Sequence, residues 1–382
     1  MQMKNEFLEN GQKETCNGCG ICVYVCPVGA ISMLEDKEGF LYPYINKEKC
    51  IGCNKCKKYC SNFNTKNEFD SKAYASYTKD DVELKEASSG GMFYILAKNI
   101  IENNGVVFGV KFDENLIAKH DWADTLNECK QFRGSKYVRS DVENKYFKVK
   151  EFLNDGKTVL FTGTPCQCHA LKVFLRKEYD NLITCDIICH ANPSPKVFEK
   201  YKKELESTRN KKIKNIYFRS KENGWRNQTP IIEYEDGSKE QENTYFNAFV
   251  RELLGRPSCH ACKFASPNRV TDFTIGDLWG VEQIEPKFQS IDGVSLFTVN
   301  SQKGEKIFDN VKHNMNYKKI DEKEAYAHNH YMNVPQNKNR DKFFQELESD
   351  TLSTIELMKK YSKISLFTRV KNKVKSIIKV KR

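Results

Sequence analysis

Apolar residues recur at helix and strand periods from about residue 73 onward. Residues 73–78 and 106–112 form short apolar segments that predict strands. The segment between them, 91–103, has the helical period and is followed by Asn104 and Gly105, with Gly105 as the expected C-terminal cap. Strand, helix and strand in this order predict an α/β unit.

A second unit of this kind follows and then gives way to another pattern. It has a helix, a strand, a helix and a strand, at residues 145–153, 158–162, 167–178 and 182–189. This order predicts a βαβ arrangement, whereas hairpin signals dominate from residue 211 onward. The clearest hairpin is at 231–238, and a helix predicted at 245–254 ends at Gly255. The later region is therefore predicted to be α+β.

Polar residues without periodicity mark the first domain boundary. Residues 61–72 have the composition of a linker. A chain of 382 residues is longer than one hydrophobic core usually organises. We expect an N-terminal cysteine-rich module at 1–62, a linker at 63–72, an α/β domain at 73–155, a second domain at 156–345 and a basic helical tail at 346–382.

Fifteen cysteines and a formal charge of +11 limit the classes of protein to which this chain can belong. The cysteine count is odd and no secretory segment follows Met1, so we do not expect a disulfide framework. No apolar run approaches the roughly 18 residues of a membrane span. We therefore expect a cytoplasmic protein with reduced thiols. The lysines scatter among acidic residues without a nucleic-acid-binding motif, which argues against nucleic acid as a partner.

Eight cysteines have the spacing of bacterial two-cluster ferredoxins. The two runs are Cys16-x2-Cys19-x2-Cys22-x3-Cys26-Pro27 and Cys50-x2-Cys53-x2-Cys56-x3-Cys60. Three cysteines of each run wrap one 4Fe-4S cluster, and the fourth reaches the other cluster. The sequence therefore predicts two ligand quartets, one of Cys16, Cys19, Cys22 and Cys60 and one of Cys50, Cys53, Cys56 and Cys26.

Glycines support this interpretation of the cysteine runs. Gly18, Gly20 and Gly52 keep side chains out of loops whose amides turn toward cluster sulfurs. The alternative is a pair of zinc knuckles, but zinc sites use separate sets of four ligands rather than two interlocked quartets.

Seven cysteines lie outside these runs, within or beside a series of short motifs. In chain order the motifs are Ser88-Ser89-Gly90-Gly91, Arg133-Gly134-Ser135-Lys136-Tyr137-Val138, Thr162-Gly163-Thr164-Pro165-Cys166-Gln167, Ile188-Cys189-His190, Cys259-x2-Cys262 and Ile275-Gly276-Asp277-Leu278-Trp279-Gly280. Together they resemble the coenzyme F-420 hydrogenase/dehydrogenase beta-subunit family, from about residue 73 to about residue 300. Many members carry a two-cluster 4Fe-4S ferredoxin domain in front of this region.

The resemblance implies a flavin, FAD, bound in the α/β part. The positions that match are Ser89, Gly90, Gly91, Ser135, Lys136, Tyr137, Thr162, Gly163 and Thr164. Elementary chemistry agrees, because the predicted helix after Gly91 offers free amides and a positive dipole end to a phosphate. An ordinary helix cap is the alternative for this segment. FMN also remains open as the flavin.

The resemblance further implies a third 4Fe-4S cluster near the flavin. Its matching ligands are Cys166, Cys189, Cys259 and Cys262. A zinc ion remains the alternative there, since a Cys-x2-Cys pair with two remote cysteines is also a structural zinc pattern.

The other residues near these motifs have no ligand assignment. We interpret Cys129, Cys168 and Cys185 as buried apolar residues, and we leave His190 and His260 out of the ligand set. Asp277 and Trp279 either shape the site or form a buried, capped turn.

These cofactors predict an oxidoreductase that passes electrons between 4Fe-4S clusters and a flavin. A flavin converts between single electrons and hydride, so an organic substrate or a deazaflavin-type cofactor is the expected hydride partner. A redox partner protein, either a ferredoxin-like donor or another subunit, is expected at the cluster end. The alternative is a non-catalytic subunit that relays electrons to a partner enzyme. The sequence leaves the substrate and the direction of electron flow open.

The last twenty residues carry eight basic and no acidic side chains. Five apolar residues fall on one helical face: Phe367, Val370, Val374, Ile377 and Ile378. This pattern is typical of a helix that lies on an anionic membrane surface. A solvated or locally docked basic helix is the alternative.

Overall fold

A computed structural model describes residues 13–60, 69–227, 229–329 and 335–363. The N-terminal module begins with a 3-10 turn at Lys13–Thr15. Its other elements are α1 (Ile21–Val25), β1 (Ile31–Glu35), β2 (Leu41–Ile45) and α2 (Lys55–Lys58). The two strands form an antiparallel hairpin, and each helix contains the third cysteine of one cysteine run. This order produces the pseudo-two-fold arrangement of a ferredoxin-like domain.

Eleven further strands form two sheets in the described part of the chain. They are β3 (Lys72–Thr78), β4 (Val106–Phe112), β5 (Ala118–Ala123), β6 (Val159–Gly163), β7 (Leu182–Ile187), β8 (Ile213–Ser220), β9 (Thr229–Tyr234), β10 (Lys239–Gln241), β11 (Phe273–Asp277), β12 (Ser295–Val299) and β13 (Met315–Ile320). The large sheet has the order β13-β3-β12-β11-β7-β6-β4-β5, and the small antiparallel sheet has the order β10-β9-β8.

The large sheet is mixed. Its centre, from β4 through β6 and β7 to β11, is parallel, and the outer pairs are antiparallel. The carboxyl ends of the parallel strands share one edge, which is where open α/β sheets bind ligands. We therefore expect a ligand site in the loops that follow β6, β7 and β11.

The other helices surround the sheets. They are α3 (Asp81–Glu86), α4 (Met92–Glu102), α5 (Leu126–Cys129), α6 (Lys145–Asn154), α7 (Pro165–Leu175), α8 (Pro195–Arg209), α9 (Thr244–Phe249), α10 (Val281–Ile284), α11 (Gln302–Val311), α12 (Glu322–Ala327), α13 (Arg340–Ser349) and α14 (Thr354–Tyr361). Short 3-10 helices lie at Lys130–Phe132, Pro257–Ala261 and Lys312–Asn314. In the described residues, no helix is both long and apolar enough to cross a membrane.

Most elements predicted from periodicity are found, including the parallel βαβ unit of β6, α7 and β7. The cap after α4 differs from the prediction. Asn104, rather than Gly105, takes the left-handed conformation with φ 58°, and the Gly105 N–H bonds to the Ile100 carbonyl. Asparagine tolerates this conformation, so Gly105 is needed for another reason. A Cβ there would lie 2.6 Å from the Thr158 carbonyl oxygen.

Helix α9 is shorter than predicted. It ends at Phe249 because the chain turns at Glu252, which has φ 60°. The Leu253 N–H then bonds back to the Ala248 carbonyl. Leu253 and Leu254 are fully buried, so their apolar character serves the core after the helix has ended.

Two expected boundaries run through continuous structure. The large sheet takes strands from both sides of residue 155, and α13 crosses the position between 345 and 346. Helix α14 buries Leu357 and Met358 in the same core as Leu347. The chain up to Tyr361 is therefore packed against the body, and the predicted membrane-binding segment at 363–382 lies outside the described residues except for Lys363.

The ferredoxin-like module is packed into the body through two cores. Ile21 and Val25 of α1 join one core with residues of α6 and α7. Phe40 and Tyr42 join a second core with α8, α9 and α13. Burial of apolar side chains at about 25 cal/mol per Å² makes this attachment substantial.

Candidate functional site

The first predicted quartet is brought together. Cys22 is buried, and its thiol pKa is raised by burial and then by the charges of Cys19, Cys16 and Cys60. Cys60 belongs to the second cysteine run, but its charge raises the pKa of Cys22 in the first run. This proximity agrees with the chain crossover expected of a two-cluster ferredoxin, and the ligand assignment stays a prediction.

Three members of the second predicted quartet also interact. Burial raises the pKa of the Cys56 thiol, and the charges of Cys53 and Cys50 raise it further. Cys26 ends α1, and its Sγ accepts the Ala30 N–H at 3.2 Å. The membership of Cys26 in this quartet stays a prediction.

The two cysteine loops share an unusual backbone. Gly18 and Gly20 have φ values of 64° and 76°, and the equivalent residues Gly52 and Asn54 have 66° and 53°. Left-handed residues at matching positions turn loop amides inward, as a cluster with acceptor sulfurs requires. The sequence identified the three glycines but missed Asn54, although asparagine is the other residue that adopts this conformation readily.

The third predicted quartet surrounds a small cavity of about 30 Å³. Its cysteines come from the start of α7, the loop after β7 and the 3-10 helix region, and are Cys166, Cys189, Cys259 and Cys262. Burial raises the pKa of the Cys189 thiol, and the charges of Cys259, Cys166 and Cys262 raise it further. Cys259 Sγ accepts the Asn192 N–H at 3.3 Å.

The donor set around this cavity fits an iron-sulfur cluster. Four cysteines and backbone N–H donors are present, and the cavity lining contains no carboxylate. Within the described residues, no three Cys, His, Asp or Glu side chains are arranged to hold one metal ion. His190 pairs with Glu252, so its ring has a partner other than a metal.

Three cysteines lie apart from all quartets. Cys129, Cys168 and Cys185 are buried in apolar cores, and burial raises the pKa of each thiol. Cys168 Sγ lies 3.7 Å from the Cys185 carbonyl oxygen. This agrees with their interpretation as buried apolar residues.

A large cavity of about 670 Å³ opens at the ligand edge of the sheet. Eight of the nine predicted flavin contacts line it: Ser89, Gly91, Ser135, Lys136, Tyr137, Thr162, Gly163 and Thr164. The ninth, Gly90, is buried beside the cavity, and its N–H bonds to Ser295 Oγ at 2.9 Å. A cavity of this size is in the range of cofactor sites.

Two loops predicted to contact the flavin are joined to each other. The Ser135 N–H donates to Ser88 Oγ at 2.9 Å. Lys136 Nζ donates to the carbonyls of Arg133 at 2.6 Å and Gln131 at 3.1 Å. Burial lowers the pKa of Lys136 to about 7. These hydrogen bonds hold the lysine in place, and a nearby anion would favour its protonated form.

A polar network below the cavity was not predicted from the sequence. Burial lowers the pKa of His120 to about 4, so the ring is neutral and its Nε2 donates to the Thr162 carbonyl at 3.1 Å. Its Nδ1 then accepts from the Ser140 hydroxyl at 3.1 Å. Gln167 Nε2 donates to Ser140 Oγ, and its Oε1 accepts the Thr164 N–H. The capping-box spacing of Thr164 and Gln167 was the available signal.

The opposite wall carries a buried ion pair. Arg219 and Asp277 pair directly, with one guanidinium N–H donating to Oδ1 at 3.0 Å. Burial opposes the charge on Arg219, but Asp277 and Tyr137 together more than compensate and raise the pKa of Arg219. Trp225 Nε1 also donates to Oδ1 at 3.0 Å, and its ring stacks on Trp279 at 5.2 Å. Asp277 and Trp279 thus shape the cavity.

The large cavity and the third quartet adjoin each other. Cys189 lines both, and Thr164 Oγ1 lies 3.2 Å from Cys166 Sγ. Electrons could pass between a group in the cavity and a cluster at the quartet without a protein intermediary. This arrangement joins the two predicted cofactor sites.

Two family models match parts of the chain. Residues 156–324 match the family of the carboxyl-terminal part of the coenzyme F420 hydrogenase/dehydrogenase beta subunit. Residues 15–63 match the 4Fe-4S dicluster domain family.

Individual relatives are distant or short. The F subunit of F(420)H(2) dehydrogenase from Methanosarcina mazei is 22% identical over 194 residues, which are 47% of this chain and 54% of the relative. An uncharacterized ferredoxin of Methanocaldococcus jannaschii is 40% identical over 48 residues, 13% of this chain and 61% of the relative. The chain thus spans between about half and three fifths of these curated relatives.

One solved structure is also similar. A chain of the xenon-derivatised F420-reducing NiFe hydrogenase complex from Methanosarcina barkeri covers 78% of this chain, and the alignment takes in 92% of that chain. The sequence identity is 17% and the TM-score is 0.46.

Proposed function

We propose that this chain is an iron-sulfur flavoprotein oxidoreductase, because residues 156–324 match the coenzyme F420 hydrogenase/dehydrogenase beta-subunit family and residues 15–63 match a 4Fe-4S dicluster domain. It passes electrons between three 4Fe-4S clusters and a flavin that exchanges hydride with an organic partner. The position of Cys189, on the wall of the large cavity and in the third quartet, carries this proposal.

The residues present fit each cofactor. Twelve cysteines provide thiolates for three clusters, and Lys136 with the amides near Gly91 provides an anion site for flavin phosphate. Bound flavin would convert between single electrons and hydride. The chain's own part is to hold Cys189 beside the cavity and to keep His120 neutral beneath it.

The hydride partner is an organic molecule, and a deazaflavin is one candidate because a relative is named for F(420)H(2). At the cluster end we propose a redox partner protein, since that relative is named as one subunit of a dehydrogenase. Thiolate ligation fits the reducing cytoplasm. Peripheral membrane contact through residues 363–382 remains part of the proposal.

Anaerobic purification tests the cofactor content. We expect about twelve irons and as many sulfides per chain, with a released flavin identified as FAD or FMN by its spectrum and mass. About eight irons plus one zinc would refute the third cluster. Protein reconstituted with FAD that binds none of it would refute the flavin.

The large cavity favours an enzyme over the alternative function, an electron relay. A relay subunit needs no cavity of about 670 Å³ beside its last cluster. If protein with full iron and flavin reduces neither deazaflavin, NAD(P)-linked dyes nor small organic acceptors while its clusters cycle, the relay function is the correct one.

A further inference from the structure

One cysteine loop is open to solvent. Every residue from 47 to 55 is exposed, including Cys50 and Cys53. By contrast, Cys22 of the first quartet and Cys166 of the third are buried. An electron that enters or leaves through protein contact therefore meets the second quartet first, because the other two are screened by surrounding chain.

Positive charge surrounds this exposed loop. Five lysines and one acidic residue, Glu48, lie between residues 47 and 58. Four of the lysines are exposed and form no ion pair with any described residue: Lys47, Lys49, Lys55 and Lys58. An oxidised 4Fe-4S cluster with four thiolates contributes about −2, so the surface stays positive after the cluster is counted.

An apolar residue lies at the centre of this charge. Ile51 is 65% exposed and directly follows Cys50. Charged residues around an apolar contact are typical of interfaces that form quickly and dissociate quickly. Other lysines at the surface have acidic partners, such as Lys203 with Glu199 and Lys360 with Glu346.

We propose that the surface formed by residues 47–58 is the docking site for a small acidic one-electron carrier protein. This inference rests on the proposed function and adds the location and charge of the partner. One electron moves from the reduced carrier to the cluster of the second quartet. The carrier is oxidised by one electron and the cluster is reduced by one, without proton transfer or bond cleavage. The reverse transfer uses the same contact.

Charge reversal tests the docking site. The variant is Lys49→Glu with Lys55→Glu, and the matched control is Lys318→Glu with Lys319→Glu on the outer strand β13, where both lysines are exposed. Both variants change the net charge by the same amount. The probe is a reduced acidic plant-type ferredoxin, mixed anaerobically with the full chain in a stopped-flow instrument.

We expect the docking variant to be reduced about tenfold more slowly than wild type at low ionic strength, with the difference shrinking as salt is added. The control variant should react at the wild-type rate. Reduced methyl viologen, a small cation, should reduce the docking variant no more slowly than wild type. Equal ferredoxin rates for all three proteins at low salt would overturn the inference.

Two further measurements complete the test. Iron content must match between variant and wild type, and if it falls, Lys47→Glu with Lys58→Glu repeats the test without changing a residue next to a cysteine. Wild type without iron would contradict the proposed function instead. If the docking variant loses binding to phosphatidylglycerol vesicles while its ferredoxin rate is unchanged, the surface binds lipid and the inference is wrong.

Discussion

Arg256 Nε donates a hydrogen bond to the carbonyl oxygen of Cys16 at 2.7 Å. Nη2 of the same side chain donates to the Leu41 carbonyl at 2.9 Å and lies 3.8 Å from Cys16 Sγ. Arg256 is fully buried, and its carbonyl accepts the Cys259 N–H. Arg256 therefore connects the first quartet with the third, through a hydrogen bond between residues that are 240 positions apart in the sequence.

Replacing this side chain should change both stability and redox potential. In Arg256→Met the carbonyls of Cys16 and Leu41 lose their buried donors, which should lower the free energy of unfolding by about 3 kcal/mol. Loss of the positive charge disfavours the reduced cluster. We expect its midpoint potential to fall by about 60 mV, which corresponds to about 1.4 kcal/mol for one electron. Urea unfolding and an EPR-monitored redox titration measure the two effects.

A second buried arginine at the same junction is the control. Arg340 pairs with Glu38 and donates to the Gly255 carbonyl at 2.8 Å, and none of its hydrogen bonds within the described part of the chain goes to a cysteine. Arg340→Met should destabilise the fold to a similar extent and leave the potentials unchanged. If both variants shift the potential equally, Arg256 acts only by holding the module in place.

The cysteine assignment predicts distinct iron contents. Cys262→Ala should reduce the iron from about twelve to about eight per chain, because the third cluster loses a ligand. Cys129→Ala, which removes a buried cysteine outside the quartets, should keep all the iron and cost about 1 kcal/mol of stability. Iron and sulfide analysis of the two proteins, purified side by side without oxygen, checks this. Equal iron contents would contradict the ligand assignment.

Local patterns in the sequence predicted much of this fold and site. The spacing of the ferredoxin run was enough to indicate that Cys60 belongs with Cys22, since cluster geometry allows few alternatives. The βαβ unit followed from periodicity, because buried parallel strands are continuous apolar runs. The family resemblance read from the motifs is confirmed.

What the sequence could not predict depends on contacts between distant segments. Arg256 meets Cys16 only because the N-terminal module packs on the body, and no local signal marks that contact. His120 lies on β5. Polar residues occupy half of the positions of this strand, so the sequence lacked the apolar pattern by which a strand is recognised. The expected domain boundary at 155 falls within one sheet, which contains strands from both sides of it. Strand order in a sheet does not follow sequence order, so the sequence could not show this.

Lys136 should make flavin binding depend on pH. With a pKa lowered by burial to about 7, it is charged below that pH and attracts the flavin phosphate, and it is neutral above. FAD affinity of the wild type should therefore fall as pH rises through about 7. Lys136→Gln should bind FAD about tenfold more weakly at about pH 6 and nearly as well as wild type at about pH 9.

The lowered pKa of Lys136 also affects the stability of the flavin-free protein, with the opposite dependence on pH. Between about pH 7 and 10.5 the unfolded chain holds the Lys136 proton and the folded chain does not. The contribution of this group to stability therefore rises with pH in that window. Titration calorimetry with FAD and urea unfolding across the range measure both. A Lys136→Gln protein with the wild-type pH profile would contradict the role of this lysine.

The buried pair of Arg219 and Asp277 should be far more sensitive than an exposed pair nearby. Their side chains are 6% and 12% exposed, so Asp277→Asn leaves a buried guanidinium without its counter-charge and should cost about 3 kcal/mol. Arg226 and Glu282, also beside the tryptophans, are 50% and 39% exposed. Glu282→Gln should therefore cost less than about 1 kcal/mol. The amide introduced by Asp277→Asn keeps an oxygen that can accept the hydrogen bond from Trp225. If urea unfolding shows a loss of stability only in that variant, the loss reports the missing charge. Equal losses of stability in both variants would mean that burial does not set the strength of these pairs.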